Sequence, residues 1–166
     1  MQLAELFERH HEELYRYAAR YTGDADLAED VVQDVFVRLA EKPPRDQSQL
    51  RAWLFRVTTT IAIDALRGTK RRLTLMETRP DSVPVPSPSP DPSALVEQEE
   101  LKQTVRQALA GLNEKERAVL LMREAGFAHR EIADAVGTTT GSVGTMFARA
   151  LDKLAERLDL DEEDTR

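Results

Sequence analysis

The sequence predicts an all-α protein of two small helical domains joined by a linker rich in proline and serine. On both sides of residues 79–93, apolar residues recur at intervals of three and four, which is typical of amphipathic helices. Between these stretches, RPDSVPVPSPSPDPS holds six of the 8 prolines, and neither a helix nor a central strand tolerates that density. We therefore expect domains at 1–76 and 95–160, a flexible linker at 77–94 and an acidic tail at 161–166.

Three helices are expected in the first domain. One covers residues 3–21, with an apolar face at Leu3, Leu6, Phe7, Leu14, Tyr17, Ala18 and Tyr21, and Gly23 provides a C-terminal stop. The next starts with a capping box of Asp26 and Glu29, buries Leu27, Val31, Val35 and Leu39, and ends at Pro43 and Pro44. The third runs from about Gln49 to Arg72 and turns Trp53, Leu54, Val57, Ile61 and Leu66 inward. Trp53 is therefore expected to pack in the core rather than to stack on a base.

The second domain is predicted to end in a helix-turn-helix. Residues 95–109 form an amphipathic helix that Gly111 stops, and Asn113 with Glu116 caps the next one. Helices at 129–136 and 142–158 then flank a turn in which Ala133 allows close approach, Gly137 takes a left-handed conformation and Val143 locks the second helix. A bare helical hairpin is the alternative, and the three-point spacing favours DNA binding.

Composition excludes several kinds of chemistry. With no cysteine and only three scattered histidines, we expect no disulfide, no metal site and no cofactor. No apolar run is long enough for a signal peptide or a membrane span, so we expect a cytoplasmic protein without membrane insertion. The net charge of −7 suits a DNA-binding protein poorly, because phosphate contacts by Lys and Arg supply most of the affinity. A partner that helps to hold the DNA is therefore indicated.

Two long strings of the sequence resemble the sigma-70 family, specifically its small extracytoplasmic-function group. LFERHHEELYRYAARYTGDADLAEDVVQDVFVRLAEKP followed by RAWLFRVTTTIAIDALRGTKRR resembles the family's region 2, a helical bundle. LNEKERAVLLMREAGFAHREIADAVGTTTGSVGTMFARALDKLAERL resembles its region 4, a helix-turn-helix. The resemblance implies a non-enzymatic transcription initiation factor that binds core bacterial RNA polymerase, directs it to specific promoters and helps to open the DNA.

The resemblance also implies partners and roles. Core polymerase would bind through the coiled coil of its largest subunit, which docks on Asp30, Gln33 and Asp34, and through its flap region; an anti-sigma factor is the other expected protein partner. The region 2 domain would contact the minus-ten element through Arg51, Arg56, Thr60, Arg67, Lys70, Arg71 and Arg72. The loop from Pro44 to Leu50 would hold a flipped base.

The region 4 domain would contact the minus-thirty-five element through Arg130, Thr139, Ser142, Thr145, Met146, Arg149 and Lys153. Two departures from the family pattern affect these roles. Thr59 and Thr60 stand where the family often has Arg-Asn, and Gly144 and Met146 stand where it commonly has Lys and Arg. We therefore expect weak and more apolar minus-thirty-five contacts, for instance to thymine methyl groups.

Two other functions remain open from the sequence. A stand-alone helix-turn-helix regulator would bind DNA tightly without polymerase, usually as a dimer. A helical phosphotransfer protein would use His10 or His11 and would not need residues 94–166. Adjacent positions of a helix point about 100° apart, so only one of the two histidines is placed for that chemistry.

Overall fold

The computed structural model describes residues 2–77 and 94–164, which form a first and a second module. The predicted linker lies almost entirely outside the described residues. Within them the chain forms only helices, as the sequence predicts: α1 Leu3–Thr22, α2 Ala25–Glu41 and α3 Leu50–Glu77 in the first module, and α4 Ala94–Ala110, α5 Glu114–Glu124, α6 His129–Val136 and α7 Thr140–Asp164 in the second. A 3₁₀ turn at Gln47–Gln49 leads into α3.

The helix ends follow local capping chemistry. Gly23 takes a left-handed φ of 70° and donates its N–H to the Ala19 carbonyl, as predicted. The predicted capping box at Asp26 is wrong, because α2 begins earlier and Asp24 is its N-cap, accepting a hydrogen bond from the Leu27 N–H at 3.0 Å. Asp26 lies in the first turn of α2, where its carboxylate complements the positive end of the helix dipole.

The first module buries the faces that α1, α2 and α3 turn toward one another. Leu14, Tyr17 and Tyr21 of α1 are buried with Val31, Val35 and Leu39 of α2 and with Leu54 and Ile61 of α3. The apolar face predicted for α1 is too long, because Leu3 and Phe7 are 44% and 38% exposed. Phe7 instead packs beside Phe36 at the edge of the bundle, with ring centroids 4.8 Å apart.

In the second module, α5, α6 and α7 surround buried side chains that belong to the same continuous cluster as those of the first module. Val119, Met122, Ile132 and Val143 are fully buried there. Asn113 and Glu116 form the predicted capping box at the start of α5. Helix α7 continues to Asp164, so the predicted start of an acidic tail at residue 161 falls inside a helix.

The two modules contact each other through α1 and α3 on one side and α4, α5 and α6 on the other. The Tyr21 hydroxyl donates to the Glu114 carbonyl at 2.9 Å, and the Arg117 guanidinium donates to the Tyr21 carbonyl at 2.8 Å. Burial raises the pKa of Tyr21 to about 12, so the hydroxyl stays protonated and able to donate. The Phe55 and Phe127 rings meet across the same boundary at 4.7 Å.

Candidate nucleic-acid interface

The helix-turn-helix has the geometry that its sequence predicts. Gly137 adopts φ 70° and ψ 47°, and its N–H and that of Thr138 both donate to the Ala133 carbonyl at 3.0 Å. Ala133 is 3% exposed and Val143 is fully buried. The predicted close approach of α6 and α7 at Ala133 and the predicted packing of Val143, which fixes α7, are therefore both confirmed. Helix α7 is thereby held with its first turns at the surface.

The start of α7 presents a row of small polar side chains. The Thr139 hydroxyl accepts the Ser142 N–H at 3.2 Å, which caps the helix as predicted, and the two hydroxyls lie 2.7 Å apart. Thr139, Thr145, Arg149 and Arg130 are exposed, whereas Ser142 is half-buried. Met146 is also half-buried and packs against the core, so only part of it faces outward.

Lys153 has a partner that the sequence did not indicate. Its Nζ lies 2.7 Å and 2.9 Å from the two carboxylate oxygens of Glu116 on α5. Burial raises the pKa of the Glu116 carboxyl, but hydrogen bonds from Lys153 and from the Asn113 N–H outweigh this, and the pKa is lowered. The Lys153 ammonium is therefore already neutralised by its own module.

The threonines of α3 face in different directions. Thr59 is buried, and its hydroxyl donates to the Phe55 carbonyl at 2.8 Å and lies 2.7 Å from the Tyr17 hydroxyl. Thr60 is exposed, but its hydroxyl donates to the Arg56 carbonyl at 3.0 Å. Thr60 can therefore offer DNA only acceptor lone pairs, and Thr59 can offer nothing.

Two of the predicted minus-ten arginines contact the second module. Arg51 donates to Glu13 and to the Ala125 carbonyl, each at 3.1 Å, and its guanidinium lies 4.4 Å from the Phe127 ring centroid. Arg67 makes a two-pronged pair with Glu114, with Nε and Nη2 at 2.8 Å and 2.6 Å from the carboxylate oxygens. Arg56, Lys70, Arg71 and Arg72 are exposed further along the same helix.

The pair of Arg67 and Glu114 shifts the pKa of both side chains. Hydrogen bonds to Arg67 lower the pKa of the Glu114 carboxyl, and the same bonds raise the pKa of Arg67. Both side chains are about half exposed, at 58% for Arg67 and 43% for Glu114. The pair is therefore well formed but open to solvent and sensitive to salt.

The loop that precedes α3 borders a cavity of about 370 Å³. Pro44, Arg45, Asp46 and Gln49 line its loop side, Trp53 and Arg56 of α3 form its floor, and Glu131 and Asp134 of α6 lie opposite. Trp53 is half-buried and packs against the core, as predicted, yet it also faces this cavity. The loop itself is held by Asp46, which accepts the Ser48 N–H and hydroxyl at 2.9 Å and 2.7 Å, and these bonds lower the pKa of Asp46.

An acidic surface on α2 is open. Asp30, Gln33 and Asp34 are exposed on one side of the helix, opposite buried Val31, Val35 and Leu39. Among the described residues, none of the three polar side chains forms a hydrogen bond or an ion pair. This surface is free to contact a partner.

The two histidines of α1 are already paired with carboxylates. His10 Nδ1 lies 2.9 Å from Glu13, and His11 Nε2 lies 3.2 Å from Glu29. His10 is also mostly buried, with 12% of its side chain exposed. One nitrogen of each ring is therefore already engaged by a carboxylate within the protein.

Comparison with known families identifies both modules. Residues 6–72 match Sigma-70 region 2, and residues 102–154 match Sigma-70, region 4. The chain is 33% identical to the ECF RNA polymerase sigma factor SigL of Mycobacterium tuberculosis, over 83% of this chain and 78% of SigL. The chain belongs to the sigma-70 family, in its ECF group.

Other ECF sigma factors are similar at greater distance. SigG of M. tuberculosis is 31% identical over 89% of this chain, but the chain spans only 46% of the length of SigG. Two solved structures share the fold. The sigma factor RpoE in complex with the anti-sigma factor NepR from Bartonella quintana has a TM-score of 0.70 and 24% identity, and the match covers 95% of this chain and 97% of RpoE. CnrH in complex with the cytosolic domain of CnrY has a TM-score of 0.66 and 25% identity, and the match covers 96% of this chain and 88% of CnrH.

The family assignment covers the helices but not their contacts with each other. Region 2 holds α1, α2 and nearly all of α3, and region 4 holds most of α4 through most of α7. Tyr21, Glu114 and Arg117, which join the two modules, were not predicted as functional residues. No periodicity or motif of the sequence indicates them, because each makes its contact with a residue more than 45 positions away.

The described residues contain neither a membrane-spanning helix nor a metal-binding group of side chains. No helix in residues 2–77 or 94–164 is long and apolar enough to cross a membrane. Within the same residues, no group of histidine and acidic side chains is arranged to hold a metal ion.

Proposed function

We propose that this ECF sigma factor is a transcription initiation factor that binds core bacterial RNA polymerase, directs it to specific promoters and helps to open the DNA. The carrying observation is that one chain combines an open acidic surface on α2, a basic helix α3 and an exposed helix-turn-helix. The factor has no catalytic step of its own and works in the cytoplasm. It places the polymerase at promoters, while the polymerase catalyses RNA synthesis and provides much of the DNA affinity.

Each surface has its own part in this proposal. Asp30, Gln33 and Asp34 dock on the coiled coil of the largest polymerase subunit, and the flap region of the polymerase contacts the second module. Helix α3 and its preceding loop take the minus-ten element, and α7 takes the minus-thirty-five element.

Reconstituted transcription tests this function. Purified chain is mixed with core polymerase and a library of promoter-containing fragments, and specific transcripts are sequenced. We expect initiation at a defined set of sites that core polymerase alone does not use. Absence of both a complex with core polymerase and any new transcript would refute the proposal, and DNA binding at full affinity without polymerase would favour a stand-alone regulator.

A charge reversal on α2 tests the docking surface. Asp34→Lys is expected to remove binding to core polymerase, because it places a cation in the acidic surface. Glu12→Lys is the matched control, since Glu12 is 80% exposed on α1 and pairs only with Arg16 of the same helix. Equal polymerase binding by the two variants would move the docking surface elsewhere.

An anti-sigma factor is the second proposed protein partner. The similar structures of RpoE and CnrH are complexes with the anti-sigma factor NepR and with the cytosolic domain of CnrY. In this chain, α1, α4, α5 and α7 form an apolar groove of about 820 Å³ lined by side chains such as Leu101, Val105 and Leu151. Its charged lining residues are Arg20, Lys102, Arg106, Arg123 and Glu124; Arg20 is paired with Glu124 and Lys102 with Glu99, so Arg106 and Arg123 carry most of its positive charge. An amphipathic helix with an acidic polar face fits this groove.

The groove is tested with candidate inhibitors encoded beside this gene. Leu101→Asp combined with Leu151→Asp is expected to abolish co-purification with such an inhibitor, because both side chains are exposed in the groove, at 65% and 43%. Leu73→Asp is the control, since Leu73 is 56% exposed on α3, outside the groove. Co-purification that survives the paired change would exclude the groove as the binding site.

A further inference from the structure

The outward side of α7 carries only short side chains near its start. Gly141, Thr145 and Ala148 are exposed there, and Gly144 beside them is half-buried. Among the described residues, a Cβ placed on Gly141 would meet no atom within 4 Å, and one placed on Gly144 would meet only Cε1 of His129, at 3.8 Å. The recognition helix therefore leaves a gap where a long side chain at 144 would lie, and the side chain beside this gap comes from α6.

His129 turns the polar edge of its ring toward the gap. Cε1 is bonded to both ring nitrogens, so the ring atom nearest to position 144 has a nitrogen on either side. Within residues 2–77 and 94–164, the His129 side chain forms no hydrogen bond and no ion pair, whereas His10 and His11 are each paired with a carboxylate. An unpaired imidazole keeps an N–H donor, so His129 can donate to a group that enters the gap.

The charges around His129 favour an anion. Arg130 is exposed next to it and has no ion-pair partner in the part of the chain that the structure describes. Glu131, the acidic residue in the first turn of α6, accepts the Ala128 N–H at 2.9 Å and lines the cavity beside the loop before α3. Because positions 129 and 131 lie about 200° apart around a helix, this carboxylate is on the other side of α6. The side of α6 that faces the gap therefore suits a phosphate.

We propose that His129 donates a hydrogen bond to a DNA phosphate at the edge of the minus-thirty-five groove, in the place that Gly144 leaves open. The inference rests on the proposed function, because it takes α7 as the helix that enters the groove. In a helix-turn-helix, the second helix lies in the groove and the first crosses the DNA backbone, and His129 is the first residue of that first helix. Helix α6 thus makes the contact that a longer side chain on α7 would otherwise make.

The histidine ring resonances of the full chain test the contact directly. The chain has 3 histidines, so isotope-labelled histidine gives three ring Cε1–H signals, and the His129 signal is the one that His129→Gln removes. A mixed-sequence DNA duplex at low salt is the probe. We expect the His129 signal to shift as duplex is added, while the signals of His10 and His11 on α1 stay in place.

Three results of this titration would overturn the contact. They are a His129 signal that stays in place at saturating duplex, three histidine signals that shift alike, and no duplex binding at all. The last result counts because an unpaired side chain at the surface needs no polymerase to reach a phosphate.

Two substitutions of similar size separate the hydrogen bond from packing. His129→Gln keeps an N–H donor and His129→Leu removes it. Loss of one hydrogen bond should weaken duplex binding by His129→Leu about 2- to 10-fold, read by anisotropy of a fluorescein-labelled duplex, with His129→Gln close to wild type. The weakening should be the same for duplexes of different sequence, because the contact is to phosphate. Equal binding by the two variants, or a loss confined to one sequence, would refute the proposal.

A double-mutant cycle tests whether His129 acts through the gap. Gly144→Lys fills the gap with a side chain that reaches phosphate itself, so adding His129→Leu should then weaken binding by about twofold or less. Gly68→Lys is the matched control, because it adds the same charge on α3, where an added Cβ would meet no described atom within 4 Å. In that background His129→Leu should keep its full effect, and an equal effect in both backgrounds would overturn the proposal.

Transcription with core polymerase separates this inference from the proposed function. If wild-type chain directs specific initiation while the His129 signal does not respond to duplex, only the phosphate contact fails. If wild-type chain directs no initiation, the proposed function fails, whatever the histidine signals show.

Discussion

The contact of Glu116 with Lys153 gives the sharpest test of how the second module is held together. Glu116 is 5% exposed at the start of α5, accepts from the Asn113 N–H at 3.1 Å, and accepts from the Lys153 ammonium through both carboxylate oxygens. Glu116→Gln keeps the shape but places an NH₂ group next to the ammonium, so only one acceptor remains for two donors. Because Lys153 is about half exposed, weakening this ion pair costs about 1 kcal/mol or less, and a weakened cap costs about as much again.

The free energy of unfolding should therefore fall by about 1–2 kcal/mol near neutral pH, which corresponds to a Tm lowered by about 2–8 °C for a chain of this size. The difference depends on pH with a definite sign. The folded state lowers the pKa of Glu116 from its ordinary 4.5, so the wild-type advantage is fully present above about 4.5 and is lost as pH falls through the lowered pKa.

Thermal unfolding followed by far-ultraviolet circular dichroism measures this difference at several pH values. Glu99→Gln is the control, because it removes the same charge and an exposed pair with Lys102 on α4. We expect the control to track wild type throughout. A Glu116→Gln variant as stable as wild type near neutral pH, or one whose deficit persists unchanged in acid, would refute the reasoning.

Three further predictions concern the helix-turn-helix. Arg149→Ala should weaken minus-thirty-five binding and lower the salt slope by about one, whereas Lys153→Met should lower Tm and leave the slope unchanged, since Lys153 is paired within the protein; equal slopes for the two variants would contradict this. Gly144→Ala should stabilise α7 by about 1 kcal/mol in denaturant unfolding, because the added Cβ would meet only His129 at 3.8 Å. Gly144→Lys should in addition bind DNA more tightly at low salt, and an unchanged affinity would disprove this. Gly137→Ala should cost about 1 kcal/mol in the same unfolding assay, because φ is 70° there, and a neutral effect would show that the turn relaxes.

The helices were predictable from sequence because each depends on residues close together in the chain. The turn at Gly137, the cap at Asn113 and the stop at Gly23 are local devices, and all three are present. The predicted start of α2 was wrong because Asp24 and Asp26 both suit an N-cap. Only the backbone φ and ψ of the residues that enter the helix decide between them.

The partners of charged side chains were not predictable in the same way. Lys153 meets Glu116 across 37 positions and Arg67 meets Glu114 across 47, so neither pair leaves a periodic signal. A lysine on a recognition helix and an arginine on a basic helix suggest phosphate contacts equally well whether or not a carboxylate lies nearby. Assignment of such residues to DNA requires knowledge of what the folded chain has already paired.

The contact between the modules combines buried apolar side chains with exposed ion pairs. The buried apolar side chains form one continuous cluster across both modules, and Tyr21, Phe55 and Phe127 at the boundary belong to it. Across the boundary, the ion pairs of Arg20 and Arg67 are about half exposed and are each worth little in water. The Phe55–Phe127 contact and the bonds of Tyr21 add a small apolar and polar anchor. Salt therefore weakens only the ion pairs of this boundary, whereas the buried rings hold it at any ionic strength.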